Sequence, residues 1–440
     1  MRNMKLLLAA PHYPPTYVGG VELYVQRLAG YVGARGIECH VVAVERWWQT
    51  RSRLVAARRE EGSAVVWRLD VPAPDRLSRT RAAYGDPAIR DWLIDLLRRQ
   101  GFDLVHLHSG YLTGGAVLEA ARACGVPVVI TLHDYWFICP RITLQQPDGS
   151  ICSGPETPAK CALCLMTARR RVRWPVAVTG HAGRRVCEKM CAWLRPTKVE
   201  AIVERQRDLA AGLLSAARIL SPSRFLIDQM ARAGIPRERL DLFQHGIPER
   251  VATPRLRRER STLRLGFLGQ IAPHKGVHVV IEAVRAVRVG SVELVIGGHL
   301  HRDSDYVSRL RRLASNDPRI VFGGPVENEA LGEFFASIDL LVVPSVWYEN
   351  SPFVIHEARM AGVPVLASDL GGMAELVRHD VDGLLARPGD PASFAEQIGR
   401  VVTDPTLLPR LRANVRRPPS LEEEFAGLLG LYRDVCSAEL

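Results

Sequence analysis

Two doubly wound α/β domains are what this sequence of 440 residues predicts. Short continuous apolar runs alternate with stretches of helical period, the pattern of strands buried on both faces and joined by helical crossovers. A basic, proline-containing stretch, PERVATPRLRRERST, interrupts the alternation, which then restarts. The chain is also too long for one hydrophobic core, and two domains of roughly 200 residues are its natural division.

The first domain is expected over 1–250. It opens with the strand KLLLAA and a helix from Val21 to Gly33. The strand CHVVAVE, a helix around Ile89 to Arg99, the strand DLVHLH, the helix GAVLEAARACG and the strand PVVITLH follow. From about 139 to 215 the alternation fails, and the Cys-rich and Arg-rich material there reads as an insertion. The linker falls near 248–262, and the second domain covers 262–415. Its strands are LRLGFLGQ, VELVIGG, RIVFGGPV, DLLVVPS and PVLASD. Its helices run from Val277 to Val287, from Tyr306 to Leu313, near Leu331 to Ser337, and from Pro352. Residues 420–440, with LEEEFAGLLGLYRDVC, form a helix expected to pack back on the first domain. Such sheets bind ligands at their carboxyl edges, so a cleft between those edges is where a ligand is expected.

Composition narrows the class. With 47% hydrophobic and 24% charged residues the chain reads as a soluble globular protein. The apolar run before Pro11 is short for a secretory signal, and no segment approaches the roughly 20 apolar residues that span a bilayer. Cytoplasmic residence, with at most peripheral membrane contact, is the expectation. The formal net charge is +11, and part of it is concentrated. Arg169, Arg170, Arg171, Arg173, Arg184, Arg185, Lys189 and Arg195 face one acid, Glu188, giving 8 − 1 = +7 over Leu165 to Arg195. Two readings stay open: a surface for an anionic membrane or acidic acceptor, and a solvated face with no partner. Nucleic acid is not expected, because no recognition motif accompanies the charge.

The stretch WYENSPFVIHEARMAGVPV carries the chemistry. Pro352 fits the first helical position, and Ser351 is the expected N-cap. Glu349 then lies in the loop ahead of the helix and Glu357 inside it. Open N–H groups of 353 to 355 with the helix dipole suit an anion. Carboxylates beside a phosphate would repel it, so both are assigned to hydroxyls. A nucleotide sugar, with phosphates flanked by ribose and hexose, matches that layout.

The spacing E-x7-E in ENSPFVIHE resembles that of the retaining glycosyltransferases of family 4, which have the two-domain GT-B fold of Rossmann-like halves facing a central cleft. PPTYVGGVE, TLHDYWFICPR, SPSRF, GFLGQIAPHKG and DGLLARPGD extend the likeness over most of the chain. The resemblance implies that Glu349 meets the hydroxyls of the donor sugar and Glu357 those of the ribose. It implies that backbone amides of Asn350, Ser351, Pro352, Phe353 and Val354, where present, hold the diphosphate. Lys275 would meet the pyrophosphate as a point charge. Gln270 stands where the family usually has Arg, which removes one positive charge from the leaving-group site. Gly20 would lie against phosphate or acceptor, since glycine lets backbone approach a ligand closely. Glu22 reads as a helix-dipole partner. His133 would hydrogen-bond the donor sugar near its anomeric carbon. Asp134 stands beside it, and His106 and His108 end the neighbouring strand, where they would line the acceptor pocket.

Cys139, Cys152, Cys161 and Cys164 have the spacing C-x12-C-x8-C-x2-C. A structural zinc is the first reading, because four thiolates can hold a loop-rich insert around the ion. Unliganded thiols, an iron–sulfur cluster and disulfides stay open, and Cys187 and Cys191 are alternative ligands. No cofactor is expected for catalysis.

The resemblance implies transfer of a sugar from a nucleoside diphosphate to a glycan, a lipid-linked intermediate or a small metabolite. Transfer would retain configuration without a divalent metal, and no carboxylate is evident as the nucleophile of a double displacement. A GT-B-like epimerase or phosphorylase, and a non-catalytic nucleotide-sugar-binding protein, are the alternatives.

Overall fold

The computed structural model describes residues 4–74, 79–168, 180–249, 262–300 and 305–438. Arg169, Arg170, Arg171 and Arg173 of the basic segment, and 250–261 of the expected linker, lie outside the described residues. The chain divides into two compact units, Met1–Phe243 with Phe425–Leu440, and Gln244–Glu424.

In the first unit eight strands form one sheet. They are β1 (Lys5–Ala9), β2 (Glu38–Gln49), β3 (Val55–Glu61), β4 (Ala64–Pro72), β5 (Leu104–His108), β6 (Val128–Thr131), β7 (Arg218–Ser221) and β8 (Leu240–Leu242). Their order is β3-β4-β2-β1-β5-β6-β7-β8. All neighbours are parallel except β3 and β4. β5 and β6 are buried at every position, as strands covered by helices on both faces must be. The crossover helix Pro87–Gln100 starts where Asp86 accepts from the amides of Ala88 and Ile89. It stops at Gly101, whose φ of 65° is the left-handed conformation glycine tolerates.

The edge hairpin β3–β4 is not predicted by the sequence pattern. β3 is VAARREE and mostly exposed, so it lacks the apolar run by which the buried strands announce themselves. Arg68 of β4 is buried and binds Glu45 at 2.9 Å and Glu61 at 2.9 Å. It also donates to the carbonyls of Tyr13 and Pro14, which fixes the loop that follows β1. The insertion between β6 and β7 is more regular than expected. It contains helices Pro158–Thr167, Gly180–Leu194 and Pro196–Leu214 around a small core of Cys161, Ala162, Leu163, Cys191 and Ile202. Within this unit the C-terminal helix sets Phe425 edge-on against Tyr24 and Tyr432 against His106.

The second unit is a six-stranded, wholly parallel sheet of order β11-β10-β9-β12-β13-β14. Its strands are β9 (Thr262–Leu268), β10 (Ser291–Gly297), β11 (Ile320–Gly324), β12 (Leu340–Val343), β13 (Val365–Ser368) and β14 (Gly383–Ala386). Alternate residues serve two cores. Leu340 and Val342 join one with Leu265, Phe267 and Leu294, while Leu341 and Val343 join the other with Ile355 and Met373. The continuous apolar run of β12 follows from this double burial.

Candidate active site

In the second unit the chain leaves β9 toward β10 on one side, and β12 toward β13 on the other. The carboxyl ends of β9 and β12 therefore flank a topological switch point, where open α/β sheets bind ligands. The loop after β9 supplies Gln270 and Lys275, and the loop after β12 supplies Ser345 to Pro352.

Glu349 is the centre of this group, and its side chain is only 8% exposed. Lys275 Nζ stands 2.6 Å from its Oε1. Trp347 Nε1 donates to the same oxygen at 2.8 Å and Ser345 Oγ at 2.9 Å. Burial pushes the carboxyl's pKa up, but the charge and hydrogen bond of Lys275, with the bonds from Trp347 and Ser345, hold it below its usual value. Among the described residues Oε2 accepts no hydrogen bond. Oε1 is fully engaged by the protein.

Three glycines hold the loops together. Gly276 has φ of 70°, and a Cβ there would lie 1.9 Å from the Pro344 carbonyl oxygen. A Cβ on Gly372 would lie 1.6 Å from the Asn350 oxygen, and Gly371 has φ of 59°. Gly372 N–H donates to Glu349 O at 2.8 Å, and Val346 N–H to His274 O at 2.8 Å. His274 and Lys275 both lie against the Trp347 ring, at 4.9 and 5.5 Å.

The helix start differs from the expectation. The helix is Phe353–Met360, and Pro352, with ψ of 119°, is itself the cap residue. Ser351 does not cap; its Oγ bonds His356 Nε2 at 2.8 Å. His356 is buried and its pKa is pushed down to about 3, chiefly by burial. Of the amides expected to be open, Ile355 N–H is used, donating to Pro352 O at 3.0 Å. Pro352 has no N–H to offer. Glu357 is half-buried, one turn into the helix, and Gln270 is exposed. His245 stacks on Phe353 at 5.1 Å and is held by Glu424 at 3.1 Å.

In the first unit the switch point lies between β1 and β5. Gly20 is the first residue of the helix Gly20–Gly33 and is exposed. His133, after β6, is half-buried and bonds His108 across 3.2 Å from its Nε2. His108 is buried, so it serves to hold His133. His106 is not an acceptor residue: it is 0% exposed, with Nδ1 on Tyr432 Oη at 2.5 Å and Nε2 on Thr131 Oγ1 at 2.8 Å. Burial pushes its pKa well down, so it is a neutral strut. Asp134 is likewise occupied, one oxygen accepting from Ser109 at 2.6 Å and the other from the Trp136 amide at 2.8 Å. Both groups are turned inward for the same reason: a buried polar atom must find its partner inside the fold.

Residues 18–152 match the family model described as Glycosyltransferase Family 4, and residues 262–404 match the one described as Glycosyl transferases group 1. The two together cover more than half of the chain. It is a family 4 glycosyltransferase. The enzyme is 28% identical over 382 residues to a 2-deoxystreptamine glucosyltransferase of Streptomyces kanamyceticus, covering 82% of this chain and 85% of that one. It is 26% identical over 436 residues to a D-inositol 3-phosphate glycosyltransferase of Acidothermus cellulolyticus, covering 94% and 86%. Among solved structures, sucrose-phosphate synthase from Thermosynechococcus elongatus superposes with a TM-score of 0.67 at 17% identity, over 99% of this chain and 100% of that one. HepE of Anabaena in complex with UDP-glucose does so with 0.62 at 17%, over 99% and 100%. The fold of the glycosyltransferase is therefore GT-B.

Sequence reasoning missed several groups in this glycosyltransferase. Ser345 and Trp347 stand within six residues of Glu349 and carry the right donors, but nothing in their spacing tells which carboxylate they serve. Tyr17 and Tyr111, on the loops after β1 and β5, are 43% and 39% exposed. Tyr17 stacks on His12 at 3.9 Å, and Tyr111 meets that ring at 6.4 Å, making an open aromatic cluster.

Cys139, Cys152, Cys161 and Cys164 all line one cavity of about 20 Å³. The expected tetrahedral set is nevertheless not formed. Among the described residues, no three or more His, Cys, Asp or Glu side chains are placed to hold a metal ion, and this includes Cys187 and Cys191. Burial pushes the Cys161 thiol up to about 12. No described helix is long and apolar enough to cross a membrane.

Proposed function

We propose that this glycosyltransferase takes its sugar from a nucleoside diphosphate and passes it, with retention of configuration and without a catalytic metal ion, to a nucleophile of the acceptor. The observation that carries the reading is the state of Glu349: Oε1 accepts from three protein donors and Oε2 from none among the described residues. A carboxylate so held is suited to orient a sugar hydroxyl. Near about 4 Å, an uncompensated carboxylate would repel a phosphate charge by about 4 kcal/mol at an effective dielectric of about 20. Lys275 cancels that repulsion and offers its charge to the diphosphate.

In the proposed step the bond from the anomeric carbon to the diphosphate oxygen breaks, its electron pair staying on the phosphate. The acceptor oxygen bonds to that carbon on the same face, and its proton passes to the departing phosphate oxygen. Lys275 and the backbone around Asn350 to Val354 stabilise the charge that develops there. By the resemblance, His133, hydrogen-bonded to His108, is assigned to the donor sugar and Glu357 to the ribose hydroxyls. The relatives' names, with 2-deoxystreptamine and D-inositol 3-phosphate, favour a hydroxylated ring compound as acceptor, free or as a lipid head group, and Tyr17 and Tyr111 supply rings on which it could stack.

The test is turnover with UDP-, GDP-, ADP- and dTDP-sugars after a mild chelator, for the wild type and Glu349→Ala, with the product anomer read by NMR. Undiminished turnover in the variant sinks the site, an inverted anomer sinks retention, and strict Mg²⁺ dependence sinks metal independence.

A structural zinc in the insertion is a separate part of the proposal. Its support is that the four thiols share one cavity, that the amides of Leu144 and Arg141 donate to Cys139, and that the buried Arg205 stands near Cys139 and Cys161. Amides and a cation are what a thiolate cluster of charge −2 requires. Closing on the ion requires side-chain rotation. Elemental analysis should find about one zinc per chain, lost in Cys161→Ser/Cys164→Ser; metal-free wild-type protein with an unchanged melting temperature would remove it.

A further inference from the structure

The helix Gly180–Leu194 has two apolar faces. One, with Cys187 and Cys191, packs against the insertion's core. On the other, among the described residues, Val186 is 56% exposed, Met190 51%, Trp193 80% and Leu194 53%. Their spacing of four, seven and eight positions from Val186 puts them on one stripe of the helix. Large exposed side chains scattered singly are ordinary, but four on one stripe led by a nearly bare tryptophan are not.

The charge around the stripe selects the occupant. Arg185 and Lys189 are exposed on the flank of the stripe, and Arg195 and Lys198 are exposed just past the helix end. The helix carries one acid, Glu188, which is half-buried and lies on the far side from the stripe. Apolar residues, a tryptophan and a rim of cations on one helix are what the boundary between anionic head groups and acyl chains accepts. A protein partner for the same face would have to supply an acidic groove shaped to the tryptophan. A second copy of this chain, itself at +11, would bring like charges together.

We propose that the helix Gly180–Leu194 lies on an anionic lipid surface, with Trp193, Met190 and Val186 inserted among the acyl chains and Arg185 and Lys189 on the head groups. The inference does not rest on the mechanism above. It gives the enzyme a lipid-facing side, and none of the residues involved belongs to the machinery around Glu349 or His133.

The test is sedimentation of the full-length protein with vesicles of phosphatidylcholine, alone and with added phosphatidylglycerol, at low and high salt. The expected result is binding only with phosphatidylglycerol, released by salt. Lys189→Glu should weaken it about fivefold or more, and Trp193→Ser/Met190→Ser should abolish it, with melting temperature and turnover on a soluble acceptor unchanged. Absence of binding at low salt overturns the proposal, as does equal binding to phosphatidylcholine alone or equal binding by the variants. A dimer in sedimentation equilibrium that Trp193→Ser/Met190→Ser dissolves would also overturn it, assigning the stripe to a second copy.

Discussion

Removing the ammonium of Lys275 strands a carboxylate that the fold has buried, and the consequence can be worked from the geometry. Across 2.6 Å the gross attraction is about 6 kcal/mol at an effective dielectric of about 20. Lys275 is 24% exposed, so water screens part of this, and the net loss in Lys275→Met should be about 2 kcal/mol. For a domain of this size that is a fall in melting temperature of about 4–8 °C. Glu349→Gln should cost less, because the lysine can turn to water while the amide oxygen still accepts from Ser345 and Trp347. The double variant should then recover most of the stability lost in Lys275→Met, yet stay inactive. The pH dependence gives the sign independently. In the wild type the carboxyl is held below its usual value, so its stabilisation is present above the ordinary carboxylate range and is lost as pH falls through the depressed value. Without Lys275 burial dominates, the folded value rises above the unfolded one, and stability is lost as pH climbs from about 4 to 7. Thermal melts of the four proteins from about pH 2 to 7 measure both effects. Additive losses in the double variant, or parallel pH curves for wild type and Lys275→Met, would refute the coupling.

Trp347→Phe keeps the ring but loses the donor to Glu349; at roughly 1.5–3 kcal/mol for a bond to a charged group the melting temperature should fall by about 3–12 °C, and kcat/KM should fall with it as the carboxylate loses its fixed orientation. Gly372→Ala forces a methyl into the Asn350 carbonyl, so titration calorimetry should find nucleotide binding weakened by at least about tenfold. Tyr432→Phe leaves His106 Nδ1 buried without a partner and should destabilise the first unit by about 1–3 kcal/mol, read by thermal melting, with kcat unchanged. Tyr17→Ala should raise the KM for the acceptor and leave that for the donor alone; the reverse split would move the aromatic cluster out of acceptor binding.

The strands that carry the site were legible because double burial demands an uninterrupted apolar run, as in VVIT of β6 and LLVV of β12. β3 escaped notice because its cross-strand pairing is made by backbone, while its side chains are charged and face water. Glu349 could be picked out from its loop and its partner eight positions on, but not the fact that three donors share its one oxygen. That depends on how two loops from different strands meet. His106 and His133 look alike in sequence, each at the end of a strand. The C-terminal helix, more than 300 residues away, fixes the role of His106 by bringing Tyr432 onto its Nδ1. Ser351 reads as a cap from composition alone, but the ψ of Pro352 moves the helix start one residue on. The four cysteines do converge, as their spacing suggests, yet spacing does not set how far apart the sulfurs stand.

The contacts of Gly276 with Pro344, of Val346 with His274, and of Gly372 with Glu349 have a bearing on protein engineering. The segments 269–276, 344–352 and 369–372 cannot be exchanged one at a time with those of a relative that prefers another donor. The middle segment was fitted against the backbone of each of the other two, with no room for a methyl at Gly276 or Gly372. Chimeras that transplant all three as one cassette should fold and inherit the donor preference of their source, whereas single-loop grafts should be recovered as inactive protein.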